Sequence, residues 1–409
     1  MKPIDPQEWK QDLPAFREKT AAFYKGELKK NDYKGFSGLY GSYAQKDGKA
    51  SMLRLRMTAG AVSREKVCFI AKMIREYQVK RMHFTTCQSI QLHDLNETAV
   101  CEIMEKALDA GIVTMGGGGD FPRNIMCSPL AGVEKGEYFN VQPYAKAAGD
   151  YLMHFIKAEK MPRKLKVGFS SSPANLTHAT YRDLGFAARE DGKFDVYSAG
   201  GLGNNPRFGV KVAEAVEPDD ILFYIRAMWL TFRTYGNYEN RGKARTRYMQ
   251  ESLGSPEKYK EAFQEKLKEV CASGEDLKLK DLKEASAENS RKTGDETVFT
   301  GSNAIEQKQE GLYALAWHPI GGMPDPGVFC ELADAMEEIE GVELRLAPYE
   351  TAYIINLTGA EAERLNAIIQ KDMAQSLFET SVSCIGASVC QVGLRDSQGL
   401  LRACVERVK

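Results

Sequence analysis

Four short stretches carry residue types able to do chemistry. MLRLRM (52–57) alternates Arg54 and Arg56 with leucines, which on a strand puts both guanidiniums on one face. DFPRNIMC (120–127) sets Arg123 just after a proline, in an extended segment. MPRKLKVGF (161–169) spaces Lys164 and Lys166 two apart, again on one face of a strand, beside Arg163. Paired cations on a single face suit a polyanion or a small oxyanion. A sheet edge guarded by charge uses the same residues, and the sequence leaves both readings open. The fourth stretch, TSVSCIGASVCQVGL (380–394), places Cys384 and Cys390 six apart around an uncharged loop. Metal ligands, a redox pair and two buried thiols all remain open for it. C-x5-C departs from the usual zinc spacing and from the C-x-x-C redox motif. A small-residue loop suits a chain wrapping an iron–sulfur cluster, but such a cluster normally takes four thiolates and only Cys404 lies downstream.

Weaker signals accompany these. GGLGNNPRFG (200–209) contains Gly200, Gly201 and Gly203 without the GxGxxG fingerprint, so it reads as cofactor contact or as a plain surface turn. His83 and His93 flank HFTTCQSIQLH with no metal-ligand partner at spacing and read as hydrogen-bonded strand histidines. Cys87, Cys127 and Cys330 sit in apolar surroundings and read as buried thiols.

The elements that must position these residues form a repeat. Residues 59–95 fall on 320–357 at an offset of 262, so that Gly60 meets Gly322, Cys68 meets Cys330, Ala71 meets Ala333 and Leu95 meets Leu357. In each copy an amphipathic helix (Val67, Ile70, Ala71, Ile74; Phe329, Leu332, Ala333, Met336) leads to a strand, a turn and a strand. A second helix follows (Val100, Ile103, Met104, Ala107; Leu365, Ile368, Ile369). The pattern predicts an α+β module used twice, with diverged chemistry: Gln88, Gln91 and His93 in the first copy face Glu350, Tyr353 and Ile355 in the second. Between the copies a helix near 141–156, a strand over 164–172, the Gly-rich turn and a helix over 219–236 are expected. Residues 252–310 are rich in Lys, Glu, Ser and Gly, helical at first and then linker-like.

The 409 residues suffice for two or three domains, and 43% hydrophobic residues can bury a large core. A net charge of -1 argues against a nucleic-acid or membrane partner. The N-terminus lacks a signal-peptide core, and 221–232 is too short to span a bilayer and contains Arg226. Nine scattered cysteines, an odd number, read as cytosolic thiols, so a cytoplasmic location is expected.

Together MLRLRM, TTCQSIQLHD, DFPRNIMCSP, MPRKLKVGFSSSPANLTHA, GGLG and SCIGASVC resemble the siroheme-dependent sulfite and nitrite reductase family over nearly the whole chain. The resemblance implies an α+β fold of duplicated ferredoxin-like half-modules alternating with larger α/β siroheme-binding domains, the second truncated. It divides the chain into a half-module with an N-terminal extension (1–115), a siroheme/[4Fe-4S] domain plus linker (116–300), a second half-module (301–378) and the start of a second siroheme domain (379–409). It implies six-electron reduction of a small oxyanion at siroheme fed by a [4Fe-4S] cluster. By motif, Arg54, Arg123, Lys164 and Lys166 look like the cations that bind the anion, the lysines supplying protons. Arg56, Gln88, Gln91, His93, Asn124, Gly201 and Gly203 look like siroheme contacts, and Cys384 and Cys390 like half of the cluster ligands. Lys-x-Lys in PRKLK favours sulfite over nitrite, with nitrite reduction or a non-catalytic siroheme binder as alternatives. Ferredoxin or a separate reductase subunit is the implied electron donor. Two departures stand out: Cys87 occupies a place where the family commonly carries arginine, and the second cysteine motif, C-x3-C, is not in this sequence.

Overall fold

The structure is a computed structural model, and it describes residues 4–158, 160–280, 282 and 292–408. Among the described residues fourteen strands run in order: β1 (Ser42–Ala44), β2 (Ser51–Arg56), β3 (Ala61–Ser63), β4 (Arg81–Phe84) and β5 (Ser89–Leu95) come first. Then follow β6 (Met126–Cys127), β7 (Val167–Ser170), β8 (Leu184–Ala188), β9 (Phe194–Ser198) and β10 (Val210–Val216). The last four are β11 (Ala304–Glu306), β12 (Tyr313–Trp317), β13 (Glu343–Leu346) and β14 (Ala352–Leu357).

Packing divides the chain into two units, one of residues 119–289 with the extreme N-terminus and the other of 5–118 with 290–409. The second of these contains both halves of the repeat. Its two antiparallel sheets run β1-β2-β5-β4 and β11-β12-β14-β13-β3. The offset of 262 holds at the level of the backbone: β1, β2 and β4 start 262 residues before β11, β12 and β13, with β2 (51) against β12 (313), and β5 (89) starts 263 before β14 (352). Left-handed φ values recur in register too, at Ala59 and Gly321, Gly60 and Gly322, Gln88 and Glu350, and Asp94 and Asn356. The apolar helix positions named above are all buried, which is why each amphipathic stretch folds as a helix onto its sheet.

The helices Arg64–Glu76 and Pro326–Glu337 pack on each other around a pseudo-two-fold axis. Cys68 Sγ approaches the Ala333 carbonyl at 3.9 Å, and Cys330 Sγ approaches that of Ala71 at 3.6 Å. Residue i meets j and j meets i, as in an isologous dimer contact. The symmetry fails at one strand. β3 adds to β13 of the opposite half, pairing Val62 with Leu344. Its counterpart in the second copy is Met323-Pro324-Asp325, which forms no strand; Pro324 stands where Val62 does and has no N–H to donate.

The other unit is an α/β sheet in the order β10-β9-β8-β7-β6, parallel from β6 to β8 and antiparallel beyond. Phe169 and Phe186 stack at 4.6 Å in its core, against Phe194. The helices Ile221–Tyr235 and Pro256–Ala272 cover it. The strand expected over 164–172 is shorter: β7 begins at Val167, and Leu165 makes only an isolated bridge to Pro122. A proline partner cannot extend the ladder, so Lys164 and Lys166 precede the strand instead of sharing its face. The expected linker is ordered over part of its length. Lys292 pairs with Glu361 at 2.5 Å, and Asp295 accepts from the N–H groups of Gly359 and Ala360, capping the helix Gly359–Ile369. The rest of that expected linker, 281 and 283–291, lies outside the described residues.

Candidate anion-binding and cofactor-binding residues

In the repeat unit, Arg54 and Arg56 do share one face of β2, as two-residue spacing requires. Arg54 Nη1 donates to the Gly117 carbonyl and Arg56 Nη1 to that of Met115 at 3.3 Å. Gly117 lets the chain come this close: a Cβ there would lie 2.8 Å from the Thr114 carbonyl oxygen and 3.5 Å from Arg54 Cβ. Burial pulls the Arg54 guanidinium below the ordinary arginine value. The Gln91 amide, opposite Arg54 in the register, has one orientation that satisfies both its neighbours. Its oxygen then accepts from Arg54 Nε at 3.1 Å and Nη2 at 2.5 Å, while its nitrogen donates to His83 Nδ1 at 3.3 Å.

The remaining residues of this group divide. Gln88 is fully buried and donates to the Leu346 carbonyl, so its amide is committed to joining the two halves. His93 is 2% exposed, and neither ring nitrogen has a hydrogen-bond partner among the described residues. It is therefore not the hydrogen-bonded strand histidine expected. Burial, with His83, Arg81 and Arg54 nearby, holds its pKa well below the usual histidine range, so the ring is neutral. Cys87 is only half-buried, unlike Cys127 and Cys330.

At the position of Arg56 in the second copy (318 − 262 = 56) stands His318. It is 7% exposed, bonds through Nδ1 to Thr351 Oγ1 at 2.6 Å, and burial pulls its pKa down to about 4. The unfolded chain takes up a proton near pH 6.5 that the folded chain refuses until about pH 4. Stability is therefore expected to fall by roughly 3 kcal/mol as pH drops through that window. Denaturant unfolding at pH 7 and pH 4.5 checks this, and His318→Gln is expected to flatten the difference.

In the α/β unit, the segment carrying Arg123 runs parallel to that carrying the lysines. Arg123 N donates to the Leu165 carbonyl at 2.8 Å, and Leu165 N to that of Phe121 at 3.3 Å. Arg123, Lys164 and Lys166 are thereby brought together, with Asn124 beside them and Arg123 Nη2 held on the Gly119 carbonyl at 2.6 Å. Lys166 is half-buried, and its ammonium has no ion pair or hydrogen bond among the described residues. Its backbone N–H donates to Asp183 Oδ2 at 2.8 Å. Asp183, wholly buried, also accepts from Arg245 Nη2 at 3.0 Å and from Thr246 Oγ1. Arg163 is no substitute for the lysines, because Asp120 pairs with it at 2.5 Å.

Gly201 and Gly203 lie over a residue that sequence reasoning missed. A Cβ on either would come within 3.4 or 3.3 Å of the guanidinium of Arg247. Arg247 is 7% exposed, stacks on the Tyr248 ring at 4.9 Å, and has no ion pair or hydrogen bond among the described residues. In the string ARTRYMQ nothing distinguishes it from Arg245; only the fold shows that Arg245 is paired with Asp183 while Arg247 is not.

Cys384 is exposed and Cys390 half-buried, and neither forms a disulfide. Their loop docks on the turn after β1: Lys46 N donates to the Val389 carbonyl at 3.0 Å and Lys46 Nζ to that of Gly393 at 3.0 Å. No cluster of three or more His, Cys, Asp or Glu side chains suited to a metal occurs among the described residues.

Residues 118–270 match the nitrite and sulphite reductase 4Fe-4S domain, and residues 43–110 match the nitrite/sulfite reductase ferredoxin-like half domain. The chain belongs to the siroheme sulfite/nitrite reductase family. It is 23% identical over 360 residues to a sulfite reductase [ferredoxin] of Mycolicibacterium paratuberculosis, covering 86% of this chain and 62% of that one. It is 24% identical over 427 residues to an assimilatory ferredoxin-dependent nitrite reductase of Haloferax mediterranei, covering 96% and 72%. To the chloroplastic ferredoxin–nitrite reductase of Zea mays it is 26% identical over 362 residues, covering 83% and 60%. The family chain thus spans about 60–72% of the length of these curated relatives. The solved structure of the Mycobacterium tuberculosis NirA protein superposes with a TM-score of 0.76 over all of this chain and 78% of that one, at 22% identity, and shares its fold.

Siroheme and a [4Fe-4S] cluster are the cofactors that family membership implies. The residues fit the first. A polycarboxylate macrocycle calls for cations not already neutralised by protein, and among the described residues Lys166 and Arg247 are two such groups. The cluster fits less well: Cys384 and Cys390 offer two thiols where four are normally needed, and no third ligand group joins them among the described residues. No helix among the described residues is long and apolar enough to cross a membrane.

Proposed function

We propose that this chain binds siroheme and serves the six-electron reduction of sulfite to sulfide, with nitrite a poorer substrate. Family membership supports reduction of sulfite or nitrite, and the choice of sulfite rests on the Lys-x-Lys spacing of Lys164 and Lys166. The observation that carries the reading is Lys166, a cation with no counter-charge among the described residues, on a backbone anchored to a buried carboxylate. Such a group is preorganised for an anion and costs little to redirect when one arrives.

Siroheme, when bound, supplies the electrons at its iron. The protein residues then have two tasks. Arg54, Arg123, Lys164 and Lys166 bind the oxyanion and offset the charge it gains as electrons arrive. Lys164 and Lys166 release Nζ protons to oxygens leaving as water, which requires them within hydrogen-bond reach. Arg247, with Arg56, Gln91, His93, Asn124, Gly201 and Gly203, serves the macrocycle and its carboxylates. Ferredoxin or a separate reductase subunit would deliver electrons; the names of the Mycolicibacterium paratuberculosis and Zea mays relatives state ferredoxin for those proteins.

Steady-state comparison of sulfite and nitrite in the cofactor-loaded protein tests the substrate. A higher kcat/KM for sulfite is expected, and Lys166→Asn is expected to move the preference toward nitrite by about 10- to 100-fold, the worth of one charge-assisted hydrogen bond. A preference that does not move would remove the argument from Lys-x-Lys.

A further inference from the structure

Arg54 is the end of a chain of buried polar groups that begins in the other half of the repeat. Glu350, in the turn between β13 and β14, is 3% exposed. Its Oε1 lies 3.5 Å from His83 Nε2, on β4 of the first half. That nitrogen is buried and has no hydrogen-bond partner among the described residues, and the Glu350 carboxylate is an acceptor within 3.5 Å of it. His83 Nδ1 receives the amide of Gln91, whose oxygen accepts from the Arg54 guanidinium through two nitrogens. His83, Gln91 and Glu350 are each more than nine-tenths buried. Glu350 Oε2 also accepts from Ser383 N at 3.4 Å, and Gly322 makes room for the side chain, since a Cβ there would stand 2.7 Å from Glu350 Cβ.

We propose that Glu350 and His83 are positioning residues that fix the direction of the Gln91 amide and thereby hold Arg54 ready for the anion. This rests on the reading of Arg54 as an anion-binding arginine. The physical reason is that an amide can face either way, whereas a carboxylate only accepts. Glu350 selects the His83 tautomer with hydrogen on Nε2. The bare Nδ1 then demands a donor, which turns the Gln91 nitrogen toward it and the oxygen toward the guanidinium. At the equivalent place in the first copy stands Gln88 (350 − 262 = 88), a neutral amide that donates to Leu346 and imposes no such direction. The two copies differ here by a carboxylate oxygen against an amide nitrogen, and only the carboxylate lacks an N–H with which to reverse the chain.

Selective ¹⁵N labelling of histidine tests it on the full chain, which has five. His83, assigned by loss of its signals in His83→Gln, is expected to show a protonated Nε2 and an unprotonated Nδ1 at pH 7. In Glu350→Gln the two shifts are expected to converge as the tautomers mix. In the cofactor-loaded protein that variant is expected to lose about 10- to 100-fold in kcat/KM for the anion, the worth of a charge-assisted hydrogen bond. Glu350→Asp is expected to recover part of both. A protonated Nδ1 in the unsubstituted protein overturns the proposal without need of any variant, as do unchanged His83 shifts in Glu350→Gln. Arg54→Lys separates the two ideas. If it leaves the kinetics intact, the anion-binding reading of Arg54 fails while the tautomer result stands by itself.

Discussion

Lys166→Met is expected to lower turnover of the anion by about 10²- to 10⁴-fold while leaving the fold untouched, the range that loss of a positioned proton donor produces. Both halves of that expectation come from the same observation. The Lys166 ammonium has no partner among the described residues, so removing it strands no carboxylate and breaks no ion pair among them. Methionine keeps the unbranched stem, and the thermal midpoint should hardly move. Stability and turnover therefore separate cleanly, which they would not for Arg163, whose loss would leave Asp120 short of a partner. Lys166→Arg divides the role further. A guanidinium retains the charge but does not release its proton near neutrality. Its KM should stay close to the original while kcat remains low. Steady-state kinetics of cofactor-loaded protein, with siroheme content read from its absorption, checks both variants. Equal kcat in Lys166→Arg and the parent would remove Lys166 from proton delivery.

Asp183→Ala is expected to cost about 3–5 kcal/mol of folding stability, the usual effect of removing one member of a buried ion pair. Asp183 is completely buried, and its two oxygens accept from the Lys166 backbone, from Arg245 and from Thr246. Deleting the carboxylate leaves a largely buried guanidinium, a hydroxyl and an N–H with nothing to accept from them. Asp183→Leu combined with Arg245→Met should recover much of the loss, because it removes the charge along with its counter-charge. Urea unfolding of the single and double variants measures this. The double variant should not recover turnover, since the Lys166 N–H still lacks its anchor.

The repeat was legible because helix amphipathicity and strand alternation survive at an offset of 262 even where few residues are identical. The recurrence of left-handed backbone was not legible. It falls on pairs such as Ala59 with Gly321 and Asp94 with Asn356, where the residue types differ. Arg54 and Arg56 could be placed on one face because a strand of alternating leucines dictates it. The lysines were misplaced in β7 because nothing local reveals that the neighbouring segment presents Pro122 to Leu165. Arg247 was invisible for a related reason: its importance is the lack of a partner, and partners are assigned by packing.

By itself, then, the chain's order of residue types determined the duplicated α+β architecture and the family. Those follow from periodicity and from motifs that are contiguous. Tertiary structure alone decided that, among the described residues, Lys166 and Arg247 stay unneutralised while Arg163 and Arg245 are consumed. It also decided that β3 crosses to the opposite half and that Glu350 reaches back through His83 and Gln91 to Arg54. Charge compensation and strand exchange depend on which groups lie within a few ångströms, and the separation of 296 positions between Arg54 and Glu350 (350 − 54 = 296) carries no trace of that distance.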